Sequence, residues 1–387
     1  MIVPTDKQMI PVIQERIDNL SKPKGSLGRL ESLAVQMALI QQTPHPQLKH
    51  PCHILFGGDH GIEREGVTCT PREVTAQQMM NYAQGGGAVG MFCRQHGFTL
   101  RVVDAGVDYD FDLVRYPRII DRKIAHGTRD FLYEPAMSAD EWYRALAVGA
   151  GQVDACADEG CNIICLGEMG AGNTSPSSIL MHLLLEIPLE QCVGAGSGLD
   201  APGVRHKLEV LTKAVERYKK LGAFGAIDNY QLSIINRLQT ESHQACLNGR
   251  GAKEEGEANY PLPIAPKAHE VARYFAGFEM AAAVGAMLRA AERRMVVLVD
   301  GFIMTACMLV ASRLDNAVLD YAVFGHCGDE GGHRLMLDAM EVMPLLHLGM
   351  RLGEGTGALC AYPIVESAVR MLNDMDSFDH AHITKYF

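Results

Sequence analysis

The stretch Asn162 to Glu186, NIICLGEMGAGNTSPSSILMHLLLE, decides the fold. Its first part, NIICLGE (Asn162 to Glu168), is a short unbroken apolar run that reads as a buried strand. A glycine turn follows, and from Ser178 to Glu186 the apolar residues recur at helical spacing. Four more runs of the same kind end in Gly, an acid or His: HILFGGD (His53 to Asp59), LRVVD (Leu100 to Asp104), MVVLVD (Met295 to Asp300) and YAVFGH (Tyr321 to His326). Long stretches of helical periodicity separate them, such as Glu73 to Gln95 and Phe278 to Arg293. This alternation predicts an α/β fold with parallel strands joined by crossover helices. Ligands of such open sheets bind beyond the carboxyl ends of the strands, where the terminating Gly, Asp, Glu and His residues would converge.

At roughly 150 residues per domain, a chain of 387 residues suggests two or three domains, or one large α/β domain with an appended piece. The predominantly helical ends, 1–50 and 343–387, predict a small lobe built from both termini beside a large catalytic domain at 51–342. Between Thr240 and Pro266 the sequence is aperiodic and rich in Gly, Pro, Glu and Lys, which predicts a surface insertion. The formal charge of −11 and the lack of a long basic run argue against a nucleic-acid partner. Asp300 interrupts the longest apolar stretch, Met295 to Ser312, and Met1 to Pro11 has no basic segment leading into an apolar one, so neither a membrane span nor export is expected. The eleven cysteines are scattered without a CxxC pair, as in a reducing cytoplasm.

Five constellations carry chemical potential. In GEMGAGNTS (Gly167 to Ser175), glycines at a strand-to-helix junction free backbone N–H groups for a phosphate, Asn173, Thr174 and Ser175 are good cap residues, and Glu168 amid apolar neighbours needs a partner. A capped turn without a ligand is the plainer alternative. In VGAGSGLDAPGVRHK (Val193 to Lys207), Gly194, Gly196 and Gly198 allow close approach of a ligand and Lys207 offers it a positive charge; a flexible loop with a solvated lysine would look the same. Neither a dinucleotide fingerprint nor a P-loop is present. In GMRLGEGTG (Gly349 to Gly357), glycines leave Glu354 accessible as a general base, with Arg351 as either a ligand contact or its ion-pair partner. GHCGDEGGHR (Gly325 to Arg334) gathers the possible metal ligands His326, Cys327, Asp329, Glu330 and His333, and Asp59, His60, His326, Glu330 and His333 frame a rival metal-dependent hydrolase, although the spacing matches no zinc motif. Finally, Asp59 and His60 read as an acid/base pair or a hydrogen-bonded turn, and Gln77 as a residue that could address a heterocycle.

Taken together, KPKGSLGRLE (Lys22 to Glu31), GDHGIEREGVT with PREVTAQ (Gly58 to Gln77), GGGAVG (Gly85 to Gly90), GEMGAGNTS, GSGLD followed by Lys207, AGFE (Ala276 to Glu279), VDGF (Val299 to Phe302), GHRLML (Gly332 to Leu337) and RLGEGTGA (Arg351 to Ala358) run in order along almost the whole chain. In this the sequence resembles the nicotinate-nucleotide:dimethylbenzimidazole phosphoribosyltransferase family. The resemblance implies a Rossmann-like parallel six-stranded sheet flanked by helices, a small helical lobe from both termini, and a cytoplasmic homodimer, with heteromeric pairing open. It implies attack of a benzimidazole nitrogen on the anomeric carbon of nicotinate mononucleotide, without metal or cofactor. Glu354 would be the base and Glu168 the second catalytic acid. Gly170, Gly172, Asn173, Thr174, Gly194, Gly196, Gly198, Lys207, Arg351 and Gly353 would hold the nucleotide, and Gln77, Met169 and Leu352 the aromatic base.

Departures from the family pattern fall at Gly328, where a serine is usual, at Asp329, an added charge, and at Thr70, where an aromatic residue is usual. The first two remove the hydroxyl contact to the phosphate that the family pattern implies there, and Thr70, in a loop expected to border the base pocket, leaves the acceptor open among dimethylbenzimidazole, benzimidazole, adenine and phenols. A catalytically silent nucleotide-binding subunit is the third reading, distinguished by a missing base; Glu354 is present.

Overall fold

The computed structural model describes residues 1–221 and 266–387. Helices α1 (Ile10–Asp18) and α2 (Arg29–Gln41) lead into strand β1 (Cys52–Gly58), helices α3 (Glu73–Ala83) and α4 (Gly87–His96), and strands β2 (Thr99–Gly106) and β3 (Ile119–Asp121). Helix α5 (Ala139–Asp158), strand β4 (Ile163–Met169) and helices α6 (Thr174–Leu185), α7 (Leu189–Cys192) and α8 (Ala201–Lys220) follow. Beyond the undescribed segment come α9 (Pro266–Phe275), α10 (Phe278–Glu292), β5 (Val296–Val299), α11 (Phe302–Leu314), β6 (Ala322–Phe324), α12 (His333–Ala339) and α13 (Thr356–Asp374). The insertion expected between Thr240 and Pro266 lies outside the described residues, except for Pro266, which opens α9.

The described strands form one six-stranded sheet of order β3-β2-β1-β4-β5-β6, and every pairing is parallel. Every residue of β1, β5 and β6 is buried, because helices cover both faces, and this is why their sequences read as continuous apolar runs. Periodicity alone finds five of the strands. The sixth, β3, is a three-residue edge strand, too short to carry a pattern. The strand order reverses between β1 and β4, which run side by side from Cys52 opposite Ile164 to Gly57 opposite Met169. That reversal is the place where open α/β sheets take their ligands.

One expected helix is two. Glu73 to Gln95 breaks after Ala83, where Gly85 and Gly87 take φ of +82° and +68°, a left-handed conformation that side chains rarely adopt. The break turns α4 so that its amino end faces the carboxyl edge of the sheet. The terminal segments meet each other: Arg16 donates to the Leu372 carbonyl at 3.0 Å and Asn373 to that of Pro46 at 2.6 Å. Among the described residues, no helix is long and apolar enough to cross a membrane.

Helices α5 and α10 cross with their backbones nearly touching. A Cβ on Gly149 would lie 1.7 Å from the Ala282 carbonyl oxygen, and one on Gly285 would lie 2.1 Å from that of Leu146. Because the obstacle is backbone, no rotamer change relieves it. Gly149→Val should therefore cost about 2–3 kcal/mol or more of stability, read as a lower midpoint in urea unfolding; an unchanged midpoint would refute this account of the crossing.

Candidate active site

At the carboxyl ends of β1, β4, β5 and β6 lies a cleft of about 320 Å³. Its walls come from Thr68 and Thr70, one face of α3 along its length, the end of β4 and the loop after it, the 196–197 turn, the start of α11, the loop after β6 and the 350–354 loop. Glu168, the penultimate residue of β4, and Glu354 both line it, with Gly353 between them. A Cβ on Gly353 would sit 2.2 Å from Glu168 Oε1, so any larger residue there would displace that carboxyl.

Glu354 is buried and has φ of +67°, strained for a residue with a side chain, immediately before Gly355 at +83°. Its carboxylate accepts from the Tyr82 hydroxyl at 2.7 Å and from the Val89 backbone N–H at 3.3 Å, in the first turn of α4. The glycine break between α3 and α4 is what lets Tyr82 and the α4 amino end reach one carboxylate. Behind the Glu354 peptide lies His53 of β1, wholly buried and held neutral, its pKa lowered by that burial to about 4. Gly167 and Gly355 leave room for this ring: a Cβ on Gly355 would meet its Cε1 at 2.1 Å. Burial raises the pKa of Glu354, while the Tyr82 and Val89 donors oppose the rise.

Glu168 accepts a hydrogen bond from the Asn173 amide. Burial pushes its pKa up to about 8, with the fields of Glu279, Asp300 and Glu354 adding to the rise. Asn173 thus serves the carboxylate instead of capping α6 through its side chain, contrary to the sequence expectation. The same turn shapes the other end of the cleft. Lys207 of α8 is completely buried and donates from Nζ to Thr174 Oγ1 at 2.7 Å, at the amino end of α6. Burial pulls its ammonium down to about 8. A Cβ on Gly196 would meet Thr174 Oγ1 at 2.9 Å and Lys207 Nζ at 3.6 Å, so bare backbone, hydroxyl and ammonium converge there. Such a helix start with a lysine and a glycine backbone is a cradle for an anion.

Of the residues named from sequence, Glu168, Met169, Gly170, Gly172, Asn173, Thr174, Gly196, Arg351, Leu352, Gly353 and Glu354 line the cleft, and Lys207 reaches it through Thr174. Gly194 and Gly198 are not in its wall; Gly194 instead backs onto Glu330. Gln77 is exposed and turned away. Val74, Gln78 and Tyr82, spaced four apart on α3, hold the cleft face, and Gln77 falls one residue out of phase. No ion pair joins Arg351 to Glu354 among the described residues; Arg351 is exposed at the cleft rim.

Asp59 and His60 do not form a pair. Asp59 Oδ2 accepts from the Asp108 N–H at 2.8 Å, while His60 meets Glu279 at 2.6 Å in a fully buried contact. The rival metal cluster is dispersed in the same way. His326 lies 3.3 Å from Asp300, His333 is bound by Thr305 and the Gly328 N–H, and Glu330 faces the 194–196 turn. Among the described residues, no group of three His, Cys, Asp or Glu side chains is placed to hold a metal. Sequence reasoning missed Tyr82, Gln78 and Asp300 as cleft residues. Asp300 had a signal, since it ends the fourth apolar run; Tyr82 and Gln78 had only their helical phase with Val74.

A family model described as phosphoribosyltransferase matches residues 2–233 and 254–383. The nicotinate-nucleotide–dimethylbenzimidazole phosphoribosyltransferase of Bacteroides fragilis is 50% identical over 382 residues, covering 99% of this chain and 97% of that protein. The enzyme of the same name from Ralstonia nicotianae is 43% identical over 380 residues, 98% and 95% of the two chains. The crystal structure of CobT from Thermus thermophilus superposes with a TM-score of 0.82 at 30% identity, covering 98% of this chain and 100% of the other.

The Glu168 carboxyl titrates near 8 in the fold and near 4.5 when exposed. Below pH 4.5 it is protonated in both states and costs nothing. Above that the unfolded chain ionises first, so the penalty on the native state grows up to pH 8, to on the order of 5 kcal/mol. Glu168→Gln should therefore raise the melting temperature, by a margin that widens from pH 5 to pH 8. A margin that does not change with pH would contradict the electrostatic reading.

Proposed function

The chain belongs to the nicotinate-nucleotide–dimethylbenzimidazole phosphoribosyltransferase family, and from that premise we propose that it moves the phosphoribosyl group of nicotinate mononucleotide onto dimethylbenzimidazole or a related lower-ligand base. The products are α-ribazole 5′-phosphate and nicotinate, and Glu354 is the general base. The observation that carries this reading is the Glu354 carboxylate itself, lining the cleft beside Glu168 and held by Tyr82 and Val89.

The bond broken joins the anomeric carbon to a pyridinium nitrogen, so the leaving ring takes the electron pair and departs without needing a proton. The bond formed joins that carbon to a benzimidazole nitrogen, which leaves the incoming ring cationic until its other nitrogen gives up a proton. Glu354 accepts that proton. Glu168, beside it and held largely protonated near neutrality by burial, orients the ribose, and in its ionised form counters positive charge building there as the pyridinium leaves. The phosphate lies on Gly196, Thr174 and Lys207, with Gly170 and Gly172 giving backbone access. Met169, Leu352, Val74 and Phe302 supply flat apolar surface for the aromatic rings. The described cysteines are all free thiols, which supports a cytoplasmic setting. The mutual contacts of the terminal segments support reading them as a small lobe.

Purified protein incubated with nicotinate mononucleotide and a panel of benzimidazoles, adenine and phenol should release nicotinate only where a new ribotide forms, as followed by mass spectrometry. Glu354→Gln should lose about 100-fold or more in turnover while calorimetry shows nucleotide binding retained; wild-type turnover in that variant would remove Glu354 from the mechanism. Tyr82→Phe takes a donor from the ionised base and so raises its pKa. The acid limb of the kcat–pH profile should then move to higher pH, and an unmoved limb would deny Tyr82 this role.

A further inference from the structure

Glu330 lies half-buried in the wall of the same cleft, and the sequence reading gave it no part in the transfer. Its carboxylate faces the glycine turn so closely that a Cβ on Gly194 would lie 2.6 Å from Oε2. On the same turn a Cβ on Gly196 would lie 3.6 Å from Lys207 Nζ, so carboxylate and ammonium flank one stretch of glycine backbone, and Glu330 sits in the fields of Lys207 from α8 and Arg351 from the 350–354 loop, opposed by its neighbour Asp329. Lys207 feels Glu330 in return. These donors, the Gly196 backbone, Lys207 and Arg351, are among those that the nucleotide phosphate would use.

We propose that Glu330 is a specificity-determining residue whose carboxylate competes with the donor's phosphate for the Gly196–Lys207 cradle and is displaced by it. The inference rests on the phosphate reading of that cradle. Two anions cannot share one ammonium and one turn of N–H groups without strong repulsion, so one must leave. Glu330 is able to: its segment, Gly328 to Gly332, has glycine at 328, 331 and 332, and a Cβ on Gly331 would meet nothing within 4 Å. The side chain therefore has open space beside Gly331 to move into, while the backbone on either side stays held by the Asp329 N–H to the Met350 carbonyl and the His333 N–H to the Glu330 carbonyl. A donor without a phosphate would leave Glu330 where it is. The residue thereby sets how much the site gains from phosphate, since part of the attraction of Lys207 and Gly196 is already spent on an internal carboxylate.

The test uses the full-length protein and two charge-removing variants, Glu330→Gln and Glu330→Ala, each checked for wild-type thermal unfolding. Three dissociation constants are measured: nicotinate mononucleotide, nicotinate riboside, and inorganic phosphate as a competitor. Removal of the carboxylate should tighten mononucleotide and phosphate by about tenfold and leave the riboside within about twofold. Unchanged or weaker mononucleotide and phosphate binding in both variants would overturn the proposal and make Glu330 a support for the turn. Lys207→Met, measured alongside, tests the underlying reading separately. If it weakens mononucleotide and riboside equally, the cradle does not hold phosphate; if it weakens only the mononucleotide while the Glu330 variants change nothing, the cradle stands and the competition falls.

Discussion

Four acidic side chains, Glu168, Glu279, Asp300 and Glu354, are buried close enough at one edge of the sheet to act on one another electrostatically. Among the described residues, none forms an ion pair with lysine or arginine. Each instead has polar partners of another kind: Asn173 for Glu168, His60 for Glu279, His326 and the Ala358 N–H for Asp300, and Tyr82 with the Val89 N–H for Glu354. Burying carboxyl groups on such terms costs stability, and here the cost is greatest where the chemistry is. The site is under-neutralised by construction, and the rest of the fold has to hold it together.

It does so through the parallel sheet and through close backbone approach. The parallel sheet aims Glu168 from β4 and Asp300 from the end of β5 in one direction, and the reversal of strand order between β1 and β4 leaves a crevice above them. Glycine then brings the remaining pieces in. Gly353 admits Glu168, Gly355 and Gly167 admit His53, and Gly58, Gly170 and Gly277 pass within contact of the His60–Glu279 pair. The crossing of α5 and α10 at Gly149 and Gly285 is a further case, away from the site, where a missing side chain fixes a distance that a larger residue would not allow.

This explains what the sequence made legible. Five strands, the parallel architecture and the loops that carry Glu168, Thr174 and Glu354 all show as local patterns of apolar runs ended by glycine and acid. What stayed hidden depends on partners far along the chain or on helical phase. His60 lies next to Asp59 but pairs with Glu279, 219 residues away. Tyr82 meets Glu354 across 272 residues, through a glycine break inside what reads as one continuous helix. Gln77 and Gln78 are adjacent and chemically identical, and only the rotation of α3 decides that the second lines the cleft. The apparent metal cluster has the same origin: its residues share a segment of sequence, while their side chains are drawn separately to Asp300, to Thr305 and to the 194–196 turn.

On the proposed reading one end of the cleft is cationic and the other is lined by buried carboxyl groups, and that contrast suits the donor. One end offers Lys207, Arg351 and the amino terminus of α6; the other offers Glu168 and Glu354 with Asp300 alongside. On that reading, a nucleotide with an anionic phosphate and a cationic ring would align along that axis before any bond changes, with the anomeric carbon near both carboxyl groups and the ring favouring their ionised forms. The transfer then removes the cation. Nicotinate leaves with a neutral ring nitrogen and a negative carboxylate, and the new ribotide, once it has lost a proton to the proposed base Glu354, carries a neutral ring. Neither product ring keeps the positive charge that the acidic end holds best, so the electrostatic asymmetry that orients the donor also weakens the grip on what is made from it.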